Sequence, residues 1–276
     1  MRKIIIVAFM LLFICRHAAA GQVRIISIAP ATTEIACALG LEDDLVAVST
    51  YCDYPPEVKS KEKIGSFSEP NIEKILILKP DIILATGLEQ AQAVGKLKTL
   101  GLRVMVSDPK NFRELYDSIL AIGKACGKDT EAVSLMNKMK KTVSAVSAKV
   151  APVEPDKRPK VYFEIWYDPI MTAGKGSFID EMITVAGGVN ITYDAPRPFS
   201  QFSPELIVKR DPDVIILGYM VKGEGAAESL SKRFGWDKIT AVRKGRVYDD
   251  IEPDILFRPG PRLADAVVRL NERFYK

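Results

Sequence analysis

The chain has 276 residues, room for two domains, and its 47% hydrophobic and 27% charged residues are those of a soluble globular protein. Its formal charge of +4 is a local matter: Arg2, Lys3 and Arg16 fall in the first 20 residues, which hold no acid, and the remainder carries +1. No basic cluster interleaved with aromatics occurs elsewhere, so nucleic acid is excluded as an expected partner.

Residues 1–20 read as a cleaved secretory signal. MRK is a basic start, Ile4 to Ile14 is apolar, and Ala18-Ala19-Ala20 offers small residues before Gly21. The apolar run is shorter than the ~20 residues that a membrane span needs. Cys15 follows Leu12-Phe13-Ile14, without the small residues expected before a lipid-anchored cysteine. The signal holds the only histidine, His17. A mature chain without histidine argues against His-dependent hydrolase triads and against Zn or Mn sites. The expectation is no catalytic residue, no metal and no cofactor. Cys37, Cys52 and Cys126 remain, an odd number without CxxC spacing. They read as buried structural thiols, with a Cys37–Cys52 bridge left open.

From Val23 the chain alternates strands and helices. Val23 to Ile28 suits a buried strand, and Thr32 or Thr33 is positioned to cap the next helix, which ends at Gly40. Strands follow at 45–49, 82–85 and 103–107. Helices follow at 71–78, 88–100 and 112–126, with aromatic loops around Tyr51 and Phe67. Such alternation means a parallel α/β sheet.

Asp129 to Val150 contains no Gly or Pro. Val133, Met136, Met139, Val143, Val146 and Val150 recur at helical spacing, Asp129 can cap, and Glu131 sits in the first turn. A helix of this length reaches about 33 Å, the width of a small domain. By itself the segment is either an ordinary surface helix or a strut between halves. The proline-rich run 151–159 stops it.

The second half repeats the plan, with strands at 160–165, 214–217 and 246–249 and helices from Ser177, Ser203, Ala226 and Pro261. NIEKILILKPDIIL (71–84) aligns without a gap on SPELIVKRDPDVII (203–216) at an offset of 132, and Phe67 falls on Phe199 at the same offset. The layout is therefore a signal at 1–20, an N-terminal α/β lobe at 22–128, a connecting helix at 129–150 and a C-terminal α/β lobe at 156–276. The fold class is α/β: two similar lobes with mainly parallel sheets joined by one long helix. Glu73 and Glu205 lie in the first turns of equivalent helices, either as helix-dipole compensation or as paired anionic studs for a two-fold partner. The loops after the strands gather Ala31, Tyr51, Phe67, Thr86, Met171, Phe199, Asp254 and Arg258 at the carboxyl edges, where open α/β sheets bind ligands. Aromatic walls with one acid and one base suit a large, partly apolar ligand with polar side groups.

The stretches SIAPATTEIACALG, VSTYCDYPPEV, TAGKGSFIDEMITVAGGVNI, SQFSPELIV and FRPGPRL resemble those of the periplasmic substrate-binding proteins of ABC importers, in the class with a single long helix. Within it the chain is similar to the vitamin B12 (cobalamin) binding proteins. The resemblance implies a monomeric, non-enzymatic periplasmic protein that takes cobalamin or a related corrinoid between its lobes and delivers it to the permease dimer of an inner-membrane importer. It implies ligand contacts at Ala31, Tyr51, Phe67, Thr86, Met171 and Phe199, with Asp254 and Arg258 meeting the corrin side groups. It implies permease docking through Glu73 and Glu205. A ferric siderophore or haem in the same role, haem held by Tyr51, and a secreted α/β enzyme are the alternatives.

Overall fold

The computed structural model describes residues 23–219 and 226–276; the expected signal at 1–20 lies outside the described residues. The first lobe runs β1 (Ile25–Ser27), α1 (Pro30–Ala38), β2 (Leu45–Val48), β3 (Glu62–Lys63), α2 (Ile72–Leu78), β4 (Ile82–Ala85), α3 (Ala91–Thr99), β5 (Val104–Val106) and α4 (Phe112–Ala125). Its five strands lie in the order β3-β2-β1-β4-β5 and every pairing is parallel. Runs such as Ile82–Ala85 are apolar throughout because helices cover both faces of such a sheet.

The long helix α5 (Asp129–Val150) then leads to β6 (Lys160–Tyr167), β7 (Ile170–Ala173), α6 (Phe178–Val185), β8 (Val189–Asn190), β9 (Phe199–Gln201), α7 (Pro204–Arg210), β10 (Val214–Leu217), α8 (Ala226–Ser231), α9 (Thr240–Arg243), β11 (Val247–Tyr248), α10 (Pro253–Phe257) and α11 (Leu263–Phe274). The second sheet has the order β11-β10-β6-β7-β9, with β8 also on β6. It is mixed: β6–β7 and β7–β9 are antiparallel. Met171 and Phe199, expected in loops, therefore stand on strands, and Asp254 stands on the short α10. The tight Asp168-Pro169 turn folds β7 straight back on β6, a connection too short for a parallel crossover.

Two cap expectations needed revision. Asp129 is the first helical residue and Lys128 the cap. Likewise α1 begins at Pro30, whose missing N–H costs nothing at the first turn, and Ala29 precedes it. Thr32 and Thr33 are instead buried, each donating its hydroxyl to Ala29 O at 3.0 Å. Asn71 and Ser203 do cap α2 and α7, accepting from Lys74 N at 2.9 Å and Leu206 N at 3.2 Å.

The offset of 132 extends into backbone detail. Ile75 and Ile207 are the buried residues of α2 and α7, and both helices end in a left-handed residue, Lys79 and Asp211, each at φ 45°. Asp81 accepts from Arg24 N at 2.8 Å as Asp213 accepts from Lys160 N at 2.9 Å, tying each helix exit to the start of a central strand.

α5 packs on α4 of the first lobe and on α11 and α6 of the second. Met139, Val146 and Val150 are buried and Met136 and Val143 pack against the core, so the expected apolar face holds except at Val133, which is exposed while Ala132 is buried in its place. These side chains join Ile25 and Leu84 of one lobe to Val161 and Phe163 of the other in one continuous core. Cys37, Cys52 and Cys126 are buried, free thiols. No described helix is long and apolar enough to cross a membrane.

Candidate functional site

Polar contacts join the two lobes near the carboxyl ends of their strands, the edge at which open α/β sheets bind ligands. On one side Glu34 of α1, only 3% exposed, accepts from Arg262 Nε at 2.8 Å and Nη2 at 2.7 Å. Arg258 reaches Glu34 at 3.3 Å, Asp53 at 2.7 Å and Asp254 at 2.8 Å. Glu252 approaches Arg262 at 3.4 Å, and the Arg262 guanidinium lies 3.8 Å from the centroid of Tyr54. On the other side Glu181 of α6 accepts from the Phe112 N–H at 2.8 Å, at the first turn of α4. An anion is favoured there by the helix dipole.

The electrostatics follow from this packing. Burial alone would raise the Asp53 carboxyl, but the Arg258 guanidinium outweighs it and holds the group below its usual value. Asp254 is pushed up by burial despite Arg258, with Asp53 adding repulsion. Burial likewise raises Glu181, partly offset by the Phe112 N–H and reinforced by Glu114 and Asp180. Asp254 and Arg258 are thus brought together as expected, but Arg258 is not a free base. Three carboxylates share it.

The first-lobe wall is pinned by one side chain. Gln90 has no exposed surface. Its amide nitrogen donates to Ile28 O and Phe67 O, both at 2.7 Å, and its amide oxygen accepts from Thr86 N at 2.8 Å. The segment that leads into α1 and the loops that carry Phe67 and Thr86 therefore hang on one amide; Ala31, expected in a loop, is helical. Ala31 is 8% exposed in the first turn of α1, Phe67 and Thr86 are half-buried, and Tyr51 is 59% exposed. The Phe67 loop closes on Gly65, at φ 102°, where a Cβ would meet Glu69 O at 2.8 Å. Gln90→Met keeps the volume but leaves a buried carbonyl unpaired. It should destabilise the chain by about 2 kcal/mol, read as a shifted urea midpoint at unchanged slope.

In the second lobe Phe199 is half-exposed, with its ring 6.0 Å from Phe178. It pairs across β7 with Ala173, two residues from Met171 and so on the same face of the sheet. A cavity of about 300 Å³ also opens between α1, α5 and the start of α11, lined by Glu34, Tyr54, Lys138 and Arg262 among others. None of Tyr51, Phe67, Thr86, Met171 and Phe199 lines it. Glu73 and Glu205 are exposed in the first turns of α2 and α7. The Ser203 hydroxyl, 2.6 Å from Glu205, lowers that carboxyl.

Glu34, Asp53, Arg262 and Gln90 were not found from sequence. Glu34 is separated from Arg258 by 224 residues and from Arg262 by 228, and no local pattern announces such a pair. Gln90 precedes a helix like any polar residue, and its role is visible only once three segments converge.

The periplasmic binding protein family model matches residues 25–252. The chain is 39% identical over 257 residues to the uncharacterized ABC transporter substrate-binding lipoprotein YvrC of Bacillus subtilis (strain 168), covering 91% of this chain and 80% of that one. A possible iron-binding periplasmic solute-binding protein from Staphylococcus epidermidis ATCC 12228 superposes with a TM-score of 0.81 at 33% identity, covering 92% and 98% of the two chains. The periplasmic vitamin B12 binding protein BtuF of Vibrio cholerae superposes with a TM-score of 0.78 at 32% identity, covering 91% and 96%.

Proposed function

Because the chain belongs to the periplasmic binding protein family, whose members serve ABC importers as transport proteins and not as enzymes, we propose that its cargo is cobalamin or a close corrinoid, held in the interlobe cleft and handed to a permease dimer. Arg258 carries this reading. Haem presents two carboxylates and ferric siderophores are commonly anionic, so either needs cationic side chains with unspent charge. At this rim four carboxylates, Glu34, Asp53, Glu252 and Asp254, face the two guanidiniums of Arg258 and Arg262. That surplus of acid repels an anionic ligand. A corrin is rimmed by neutral amides that both donate and accept, and an exposed carboxylate edge beside a guanidinium serves both halves of an amide. The half-buried and exposed aromatics Phe67, Tyr51 and Phe199 supply apolar contact for the flat ring.

Haem is the second reading, favoured by the 59% exposure of Tyr51, which leaves a phenol open to a metal. Incubation with cyanocobalamin followed by gel filtration should leave corrinoid absorption with the protein, and calorimetry should give one site per chain. A Soret band after incubation with haemin, and no retained corrinoid, would replace the cargo with haem.

A further inference from the structure

β6 ends in two adjacent aromatics that stay largely in solvent. Trp166 is 36% exposed and Tyr167 50% exposed. Large apolar rings left side by side at a ligand-binding sheet edge mark a contact surface. The strand register says which one. Trp166 pairs directly with Met171 across the β6–β7 hairpin, and Tyr167 with Ile170, so Trp166 and Met171 share a face and lie within side-chain reach. Trp166 thus continues the second-lobe wall that Met171 and Phe199 begin.

The pair is built to stay in place. The rings lie 4.9 Å apart at 32°, and the Trp166 Nε1–H donates to Asp168 O at 2.8 Å, which satisfies the polar edge of the indole inside its own turn. Tyr167 rests 5.7 Å from the ring of Tyr219. Tyr219 is 4% exposed and donates its hydroxyl to Glu164. Glu164 has no exposed surface, and it also accepts from Tyr162 at 2.9 Å and from both Arg233 nitrogens at 2.7 and 2.8 Å. Arg233 in turn lies 4.7 Å from the centroid of Trp236. A buried, fully hydrogen-bonded network therefore supports the ring on which Tyr167 rests. Stiffness of this kind lowers the entropy lost when a ligand stacks.

We propose that Trp166, steadied by the Tyr167 ring beside it, forms a stacking platform in the cleft for the flat apolar face of the cargo, a corrin ring. The proposal rests on the cobalamin reading. The platform is chemically suited to a wide planar ring and makes no demand on charge, which fits a rim whose guanidiniums are already shared. It sits on paired strands rather than on a loop, so its geometry is fixed before the ligand arrives.

Calorimetric titration of cyanocobalamin and of cobinamide, which keeps the ring but lacks the nucleotide, tests this. Trp166→Ala should weaken both ligands by about 10- to 100-fold, Tyr167→Ala by about a few-fold, and Trp166→Phe should recover most of the loss. The far-ultraviolet circular dichroism and melting temperature of each variant separate folding from binding. Folded Trp166→Ala protein that binds both ligands as tightly as wild type overturns the platform and leaves the cargo standing. Wild-type protein that binds neither overturns cargo and platform together.

Discussion

Glu34→Ala should lower the stability of the folded chain by about 3 kcal/mol, near the lower end of the range for removing one partner of a buried ion pair. The melting temperature should fall by about 6–12 °C, at roughly 2–4 °C per kcal/mol for a chain of this size. Glu34 has a side chain that is 2% exposed, and it neutralises Arg262 through two hydrogen bonds while touching Arg258. Removing it strands a guanidinium that is 11% exposed. The loss stays near the lower end because Glu252 still reaches Arg262 and Asp53 still holds Arg258. The charge is what matters: Glu34→Gln, which keeps the size, should recover only part of the loss. A chemical unfolding curve for Glu34→Ala superimposable on wild type would show that the lobes are held by the apolar core alone.

Reversal of both docking candidates, Glu73→Lys with Glu205→Lys, should abolish stimulation of the importer's ATPase in reconstituted vesicles while leaving ligand affinity unchanged. Both carboxylates are exposed, at positions 132 residues apart in the repeat. If each meets a cation on one permease subunit, the double reversal converts two attractions into two repulsions. Close interfacial charge pairs couple by about 1.5–7 kcal/mol, enough to end productive docking at ordinary concentrations. The competing role, compensation of the helix dipole, predicts a different result: a small loss of stability at each helix and no change in transport. Stimulation by the double variant at wild-type level rejects docking and leaves the dipole role. Single reversals should fall between, since one lobe still carries the right charge.

Local chemistry made much of the fold readable. The apolar run 82–85, the Asn71 and Ser203 caps and the uninterrupted 129–150 segment each encode their structure within a few residues. Features set by distant residues were not readable. Val133 fits the helical spacing as well as Ala132 does, and only the neighbouring α4 decides which is covered. The second-lobe hairpin was hidden because Asp168-Pro169 looks like any loop, and strand polarity depends on where the chain goes next. Of the candidate site, the Asp254–Arg258 contact was legible from the family likeness. The other groups around Arg258 were not, since an ion pair between residues 34 and 258 leaves no trace near either.

The doubled architecture has a consequence for the kind of molecule the cleft can grip. A hollow formed between two identical subunits must show the same side chains on both walls, so it favours guests that share its symmetry. Covalent linkage through α5 lifts that constraint, because a substitution in one half is not copied into the other. The two walls have used this freedom. One hangs three segments on the Gln90 amide above an all-parallel sheet, and the other folds an antiparallel hairpin over a buried glutamate. Helices α2 and α7 meanwhile both carry a side-chain cap at the same position, Asn71 and Ser203, and the same left-handed exits. The two walls differ while those two helices share a common shape, so an unsymmetrical guest can meet unlike walls in a doubled fold.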